Sequence, residues 1–209
     1  MRRKTKCGIV VTIVMLLACV WTWRYVALNR LFEENYLPVP VEYAMGEEVA
    51  YGENRIFYKF DSEGYSITVR GRDILSFDEY AEKYGFSPTA YEERFGAGTT
   101  PDAVVEVIVV IRNIDDISGE SCIPLQEFQL HGGVWNFQID SALFLNSNPN
   151  WDPSIANLYL DPGDEATVVL PFSVVGRLIP KRMQDNFETS DMWLLVTYYP
   201  ENINICLSA

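Results

Sequence analysis

The sequence predicts a mainly β fold: an antiparallel β-sandwich with one or two short helices, preceded by a single N-terminal transmembrane helix. Three observations predict it. Seventeen residues without a charge, Cys7 to Trp23, follow a basic start. Beyond residue 46, apolar residues recur mostly at period two, the period of a strand with one face in a core. Gly and Pro interrupt these runs at short intervals, as turns between antiparallel strands require.

The N-terminal segment comes first in the argument. "MRRKTK" carries Arg2, Arg3, Lys4 and Lys6 and no acid. A spanning helix needs about 17–25 apolar residues rising about 1.5 Å each, so the run stands at the short limit. Trp21 and Trp23 fall where an interfacial aromatic belt lies. Only Arg24 and Arg30 follow closely, and this bias holds the N-terminus in the cytoplasm and sends the C-terminal part out. "LLAC" also resembles the lipobox of a bacterial lipoprotein signal, which would make Cys19 a lipidated first residue. Residues after a lipidated cysteine are usually small and polar, whereas "VWTW" continues the apolar run, and no A-x-A-like cleavage site is present. The uncut anchor is therefore the preferred reading, with lipidation at Cys19 and a cleaved, secreted product as the alternatives.

Residues 1–30 are assigned to the anchor, 31–46 to a stalk and 47–209 to an extracytoplasmic domain. The stalk, "LFEENYLPVPVEYAMGEE" at its widest, has two prolines, five acids and no clear period. In "YSITVR", Tyr65, Ile67 and Val69 share one strand face. "SFDEYAEKYG" reads as a helix: Ser76 and Glu79 have capping-box spacing, Gly85 suits its end, and Phe77, Tyr80, Ala81 and Tyr84 form one face. "SPTAYEERFG" suggests a second short helix with Ser87 as cap and Pro88 at the first position. "VVEVIVVIR" has Val105, Val107, Val109 and Ile111 on one face and a mostly apolar opposite face, as in a central strand covered on both sides. "EFQLHGGVWNFQI" is a hairpin: Phe128 and Leu130 point inward before Gly132-Gly133, a pair that tolerates positive φ, and Trp135, Phe137 and Ile139 after it. "LDPGDEATVVLPF" turns at Pro162-Gly163 and then places Ala166, Val168, Leu170 and Phe172 on one face. "MWLLVTYYP" and "INICL" supply the last strands.

Six of the 16 Lys and Arg lie in the first thirty residues, and all 29 Asp and Glu lie beyond Arg30, so the remainder carries 10 bases against 29 acids, a net −19. Such a surface repels nucleic acid, whose binding depends on neutralising phosphates with Lys and Arg. An anionic bilayer surface repels it too. Outside the anchor there are two cysteines, Cys122 and Cys206, without the clustered Cys and His of a metal site. A Cys122–Cys206 disulfide is possible in an oxidising compartment. Alternation in "NINICL" places Cys206 with Asn202 and Asn204, opposite Ile203 and Ile205, and two independent thiols are the preferred reading.

The order of the pieces "GYSITV", "ILSFDEY", "VVEVIVVIRN", "LFLNSNP", "LDPGDEATVVLPF" and "VTYYPENINICL" resembles an uncharacterised group of anchored bacterial proteins, domain of unknown function family 5028. More loosely, it is similar to immunoglobulin-like extracytoplasmic domains of bacterial lipoproteins. The resemblance covers roughly residues 31–209 and implies an immunoglobulin-like sandwich in an anchored location. Its motifs are structural turns and strands, and it carries no catalytic residue to transfer.

The chain holds a single histidine, His131, read as an exposed hairpin residue. Any Ser-His-Asp chemistry would depend on it alone. There is no G-x-S-x-G, H-E-x-x-H or phosphate-binding glycine loop. Carboxylates cluster at Asp115-Asp116, at Asp161, Asp164 and Glu165, and at Asp185, Glu188 and Asp191, but without a calcium-loop pattern. Trp135, Trp151, Trp193, Tyr198 and Tyr199 offer surfaces for stacking on glycans or peptides, although a core consumes most aromatics. "NSNPNWDPS", Asn146 to Ser154, is the loop that stands out, and Asn148, Trp151 and Asp152 are its candidate ligand-binding residues. The expectation is a binding or scaffolding module, tethered to the membrane and meeting an envelope protein or polymer, with no cofactor and no nucleic acid. A carboxylate-dependent hydrolase acting on cell-wall glycans is the alternative.

Overall fold

The computed structural model describes residues 2–36, 38–56, 60–96, 98–132, 134–152, 157–179, 181–184 and 186–208. They fall into two units, Met1–Pro38 and Val39–Ala209. The first is a single helix, α1 (Arg2–Tyr36). Within it Thr12–Arg30 is long and apolar enough to cross a membrane, about 28 Å at the rise of an α-helix, and can serve as a signal sequence or a single-pass anchor. Thr22 Oγ1 donates to the Ala18 carbonyl at 2.8 Å, which satisfies its hydroxyl inside the apolar run.

The second unit contains, in chain order, β1 (Val39–Ala44), β2 (Glu48–Ala50), β3 (Tyr65–Ser76), α2 (Phe77–Tyr84), α3 (Pro88–Phe95), β4 (Ala103–Asn113) and β5 (Ile123–Pro124). These are followed by β6 (Gln129–His131), β7 (Asn136–Gln138), α4 (Ser141–Ser147), β8 (Asn157–Leu158), β9 (Glu165–Val174), α5 (Lys181–Gln184), β10 (Trp193–Leu195) and β11 (Glu201–Cys206). The strands form a five-stranded sheet, β1-β11-β10-β6-β7, a four-stranded sheet, β2-β3-β4-β9, and the pair β5-β8. The fold is thus mixed rather than mainly β, with four short helices among the described residues of this unit where one or two were expected. Pairing is not wholly antiparallel either, because β1 runs parallel to β11 with Val41 opposite Ile203 and Tyr43 opposite Ile205. That strand lies inside the stretch read as a stalk: its two prolines hid an edge strand, where a missing N–H is tolerated.

β4 is central, between β3 and β9. Val105, Val107, Val109 and Ile111 have no exposed surface, and they join Ile67 and Val69 of β3 and Val168, Leu170 and Phe172 of β9. Leu130, Leu194, Ile203 and Ile205 of the other sheet belong to the same core cluster. Each such side chain contributes about 1.5–3 kcal/mol on burial. The opposite face of β4 enters a second, smaller cluster in which Val104 meets Phe77 and Tyr80 of α2 and Leu143 of α4. One apolar strand therefore serves two cores.

β3 is longer than "YSITVR" because a register shift between Val69 and Gly71 changes the parity of its faces. Before the shift Ile67 and Val69 share the core face; after it Ile74 lies opposite Val105 and Asp73 opposite Glu106. α2 has the expected capping box, with Glu79 N donating to Ser76 Oγ and Ser76 N to Glu79 Oε2, and Gly85 closes it at φ 69°. α3 begins at Pro88, but the Ser87 side chain makes no capping bond. α4 is capped by Asp140, whose Oδ1 accepts from Ala142 N and Leu143 N. In the β6–β7 hairpin, Gly133 lies outside the described residues. Gly132 is required by close approach rather than by a positive φ, since a Cβ there would stand 2.2 Å from the Trp135 ring.

Candidate functional site

Asn148, Trp151 and Asp152 leave the end of α4, and Asn148 is the residue that ends it. Residues 153–156, including Ser154, lie outside the described residues. Trp151 N donates to the Asn148 carbonyl at 2.9 Å, so the chain doubles back at once. The Asn148 amide turns to β9: Nδ2 donates to Val169 O at 2.8 Å and Oδ1 accepts from Val169 N at 3.0 Å. It thereby pairs with an edge strand as another strand would. Trp151 is half-buried, edge-on to Phe144 with ring centroids 5.6 Å apart, and borders a cavity of about 490 Å³. Asp152 is exposed. Two of the three residues therefore have packing or strand-bonding roles.

Cys122 is buried and its thiol pKa is raised, chiefly by that burial, while Cys206 lies partly exposed on β11; both are free thiols, as is Cys19 in α1.

A different arrangement lies on the five-stranded sheet. Alternation sends Leu130, Phe137, Leu194 and Ile205 to the core, so their neighbours face away. Register assembles those neighbours into two rows. Gln129 lies across from Gln138 and from Leu195, and Leu195 across from Asn204. His131 lies across from Asn136 and from Trp193, and Trp193 across from Cys206. A shallow cavity of about 380 Å³ runs over these rows.

Its side chains are cross-linked by hydrogen bonds. His131 Nε2 and Asn204 Oδ1 are 2.7 Å apart, and Asn204 Nδ2 donates to Asn202 Oδ1 at 2.5 Å. Asn136 Nδ2 donates to Gln129 Oε1. His131 is not the exposed residue expected from the hairpin: it is half-buried and stacked on Trp193, with centroids 5.7 Å apart and planes 19° from parallel, because β10 brings Trp193 alongside β6. Burial raises the pKa of Tyr198 at the cavity's margin. The sequence carries a faint signal for this face, the amides of "FQLH", "NFQI" and "NINI" alternating with core residues, but only register unites the three stretches.

Gln129 and Tyr198 also border a second cavity, about 1020 Å³, with Glu53, Asp61, Glu63 and Glu127 on its walls. Arg55 pairs with Asp61 there at 3.4 Å, both side chains half-exposed, which adds at most about 1 kcal/mol. Among the described residues, two carboxylates elsewhere have displaced pKa values, both downward. Hydrogen bonds from Ser76 lower Glu79, and hydrogen bonds led by the Ser118 hydroxyl lower Asp116. Among the described residues, no group of three or more His, Cys, Asp or Glu is placed to hold a metal ion.

A family model described as a domain of unknown function (DUF5028) matches residues 41–203, from within β1 to within β11. The chain belongs to this family. No curated protein and no solved structure matches it.

Proposed function

We propose that this member of the DUF5028 family is a membrane-tethered binding module of a bacterial cell envelope. In this reading the N-terminal helix remains as a single-pass anchor with its N-terminus inside, and Val39–Ala209 works outside the cytoplasm. The two larger sheets pack as an immunoglobulin-like β-sandwich, a reading supported by the core cluster to which both contribute. The observation that carries the proposal is the outward face of the five-stranded sheet, where amide and aromatic side chains border an open cavity. Polar side chains scattered on a surface need no function, but a cross-linked set preorganised around a concavity suits recognition. The basic start of α1 supports the orientation.

The carboxylates around the larger cavity favour a second reading, a hydrolase that uses two of them on cell-wall glycans. That reading requires Glu53, Asp61, Glu63 or Glu127 to supply both an acid and a base, and their substitution by amides to abolish turnover.

Protease added to intact protoplasts tests the placement. The domain is expected to be degraded while a membrane fragment containing α1 survives. Protection of the whole chain would contradict it.

A further inference from the structure

We infer that the ligand of the five-stranded sheet's outward face is an uncharged glycan; the inference rests on the binding-module reading above and specifies its ligand. The first ground is charge. The part of the chain beyond residue 30 has net charge −19, yet the lining of the smaller cavity holds no Asp, Glu, Lys or Arg, and its one imidazole, His131, has Nε2 engaged with Asn204 Oδ1. Anionic ligands find no Lys or Arg there. Cationic ligands have stronger attraction elsewhere on so acidic a surface. A neutral ligand is the one this patch does not disfavour.

The second ground is hydrogen-bonding capacity. A primary amide offers two N–H donors and a carbonyl acceptor with two lone pairs. Asn136 spends one donor on Gln129, and its side chain is otherwise exposed; Asn202 accepts from Asn204 and stands at the cavity's edge. Sugar hydroxyls both donate and accept, so they match mixed amide edges better than a purely donating or accepting ligand does. Tyr198, with the His131–Trp193 stack beside it, adds flat apolar surface for the C–H faces of sugar rings.

The third ground is what the sheet withholds. An extended peptide is recognised chiefly through backbone bonds to a strand edge. Here β6, β10 and β11 are paired on both sides, and β7, at the end of the strand order, is only three residues long, so the face presents mainly side chains. A chain that binds through hydroxyls and ring faces has no need of an edge.

The test uses the full-length protein in nanodiscs of zwitterionic lipid. The probes are cello-oligosaccharides and fully N-acetylated chito-oligosaccharides, both uncharged, with polygalacturonate and oligolysine as charged comparators. One of the neutral probes is expected to bind, with affinity unchanged as salt rises from about 0.05 to about 0.5 M. Asn136→Ala and Asn202→Ala are each expected to weaken it about tenfold or more, a loss of one to two hydrogen bonds. Asn136 is exposed, so its variant should keep the parent's melting temperature. Failure of both neutral probes, preference for a charged one, or binding unaffected by both substitutions would overturn the glycan assignment. A protein captured at this face from native membranes would overturn it too while leaving the binding-module reading intact. Nothing captured there by any ligand would sink the module itself.

Discussion

The two larger sheets treat their outward faces differently. The four-stranded sheet is covered: α2 and α4 lie against it, and Phe77, Tyr80 and Leu143 close over Val104. The five-stranded sheet keeps Gln129, His131, Asn136, Trp193 and Asn202 at least partly exposed on its outward face, although Leu195 and Asn204 on the same face are buried. The difference begins in sequence. β4 is apolar at most positions and must be buried on both sides, whereas β6 and β7 alternate in burial and β11 alternates amides with isoleucines, Asn204 being buried between two of them. Helices accordingly went where hydrophobic surface required them, and amides collected where it did not.

The covered face also holds a buried charge. Glu106 has no exposed surface, and Lys83 of α2 reaches over to its carboxylate, with Asp73 3.9 Å from the same ammonium and Tyr84 beneath it at 5.3 Å. Desolvating a carboxylate is costly unless it is paired, so this bond ties the helix layer to the sheet. It gives the covered face specificity of position as well as hydrophobic burial.

The comparison can be broken at its shared strand. Val107→Asp puts an unpaired charge in the main core and should cost more than about 4 kcal/mol, enough to abolish the folded domain. Circular dichroism should show the loss of the β signal, and a soluble, cooperatively melting variant would mean the strand is misplaced. Next in size is Lys83→Met, which strands Glu106. It should cost about 3 kcal/mol in denaturant unfolding, at the low end for a broken buried pair because Lys83 is half-exposed. Adding Glu106→Leu should recover most of it, since the charge needing compensation is gone. No recovery would show that the pair is not what holds α2 in place.

A smaller, graded effect follows from the tyrosines of the covered layer. Burial raises the pKa of Tyr80, Tyr84 and Tyr91, and the neighbouring Glu106 and Asp140 carboxylates push Tyr84 and Tyr91 further the same way. In the unfolded chain tyrosine ionises near pH ~10. The folded form holds its protons above that point, so stability is fully present below about pH 10 and falls as pH rises beyond it. Melting temperature should decline from there. Replacing Tyr91, whose hydroxyl donates to Asp140 at 2.8 Å, with Phe should flatten the decline. An unchanged slope would remove that tyrosine from the account.

Legibility in the sequence followed the range of the interactions. The capping box of α2 was readable because Ser76 and Glu79 are three residues apart and both bonds are local. β4 was readable because its apolar run is continuous. The second half of β3 was not, because the bulge after Val69 reverses which positions face the core. α4 is seven residues long, too short for a helical period to emerge, and its capping Asp140 looks like any loop acid. β1 pairs with β11 across nearly the whole domain, a distance over which no local pattern operates. The candidate site suffers most from this: its residues come from β6, β7, β10 and β11 and its neighbouring loops, and register alone brings them together. The aromatic loop at Trp151 packs against Phe144 and does not lie on that face.

The most direct test of the central claim, that the uncovered face is the binding surface, compares photocrosslinking from two positions in native membranes. A photoreactive side chain replaces Gln138, exposed on β7 in the row of Gln129, or Glu82, exposed on α2 in the covered layer. The account predicts a discrete crosslinked product from position 138 that is absent from position 82. Crosslinking from position 82 alone would contradict it and move the binding surface to the helix layer.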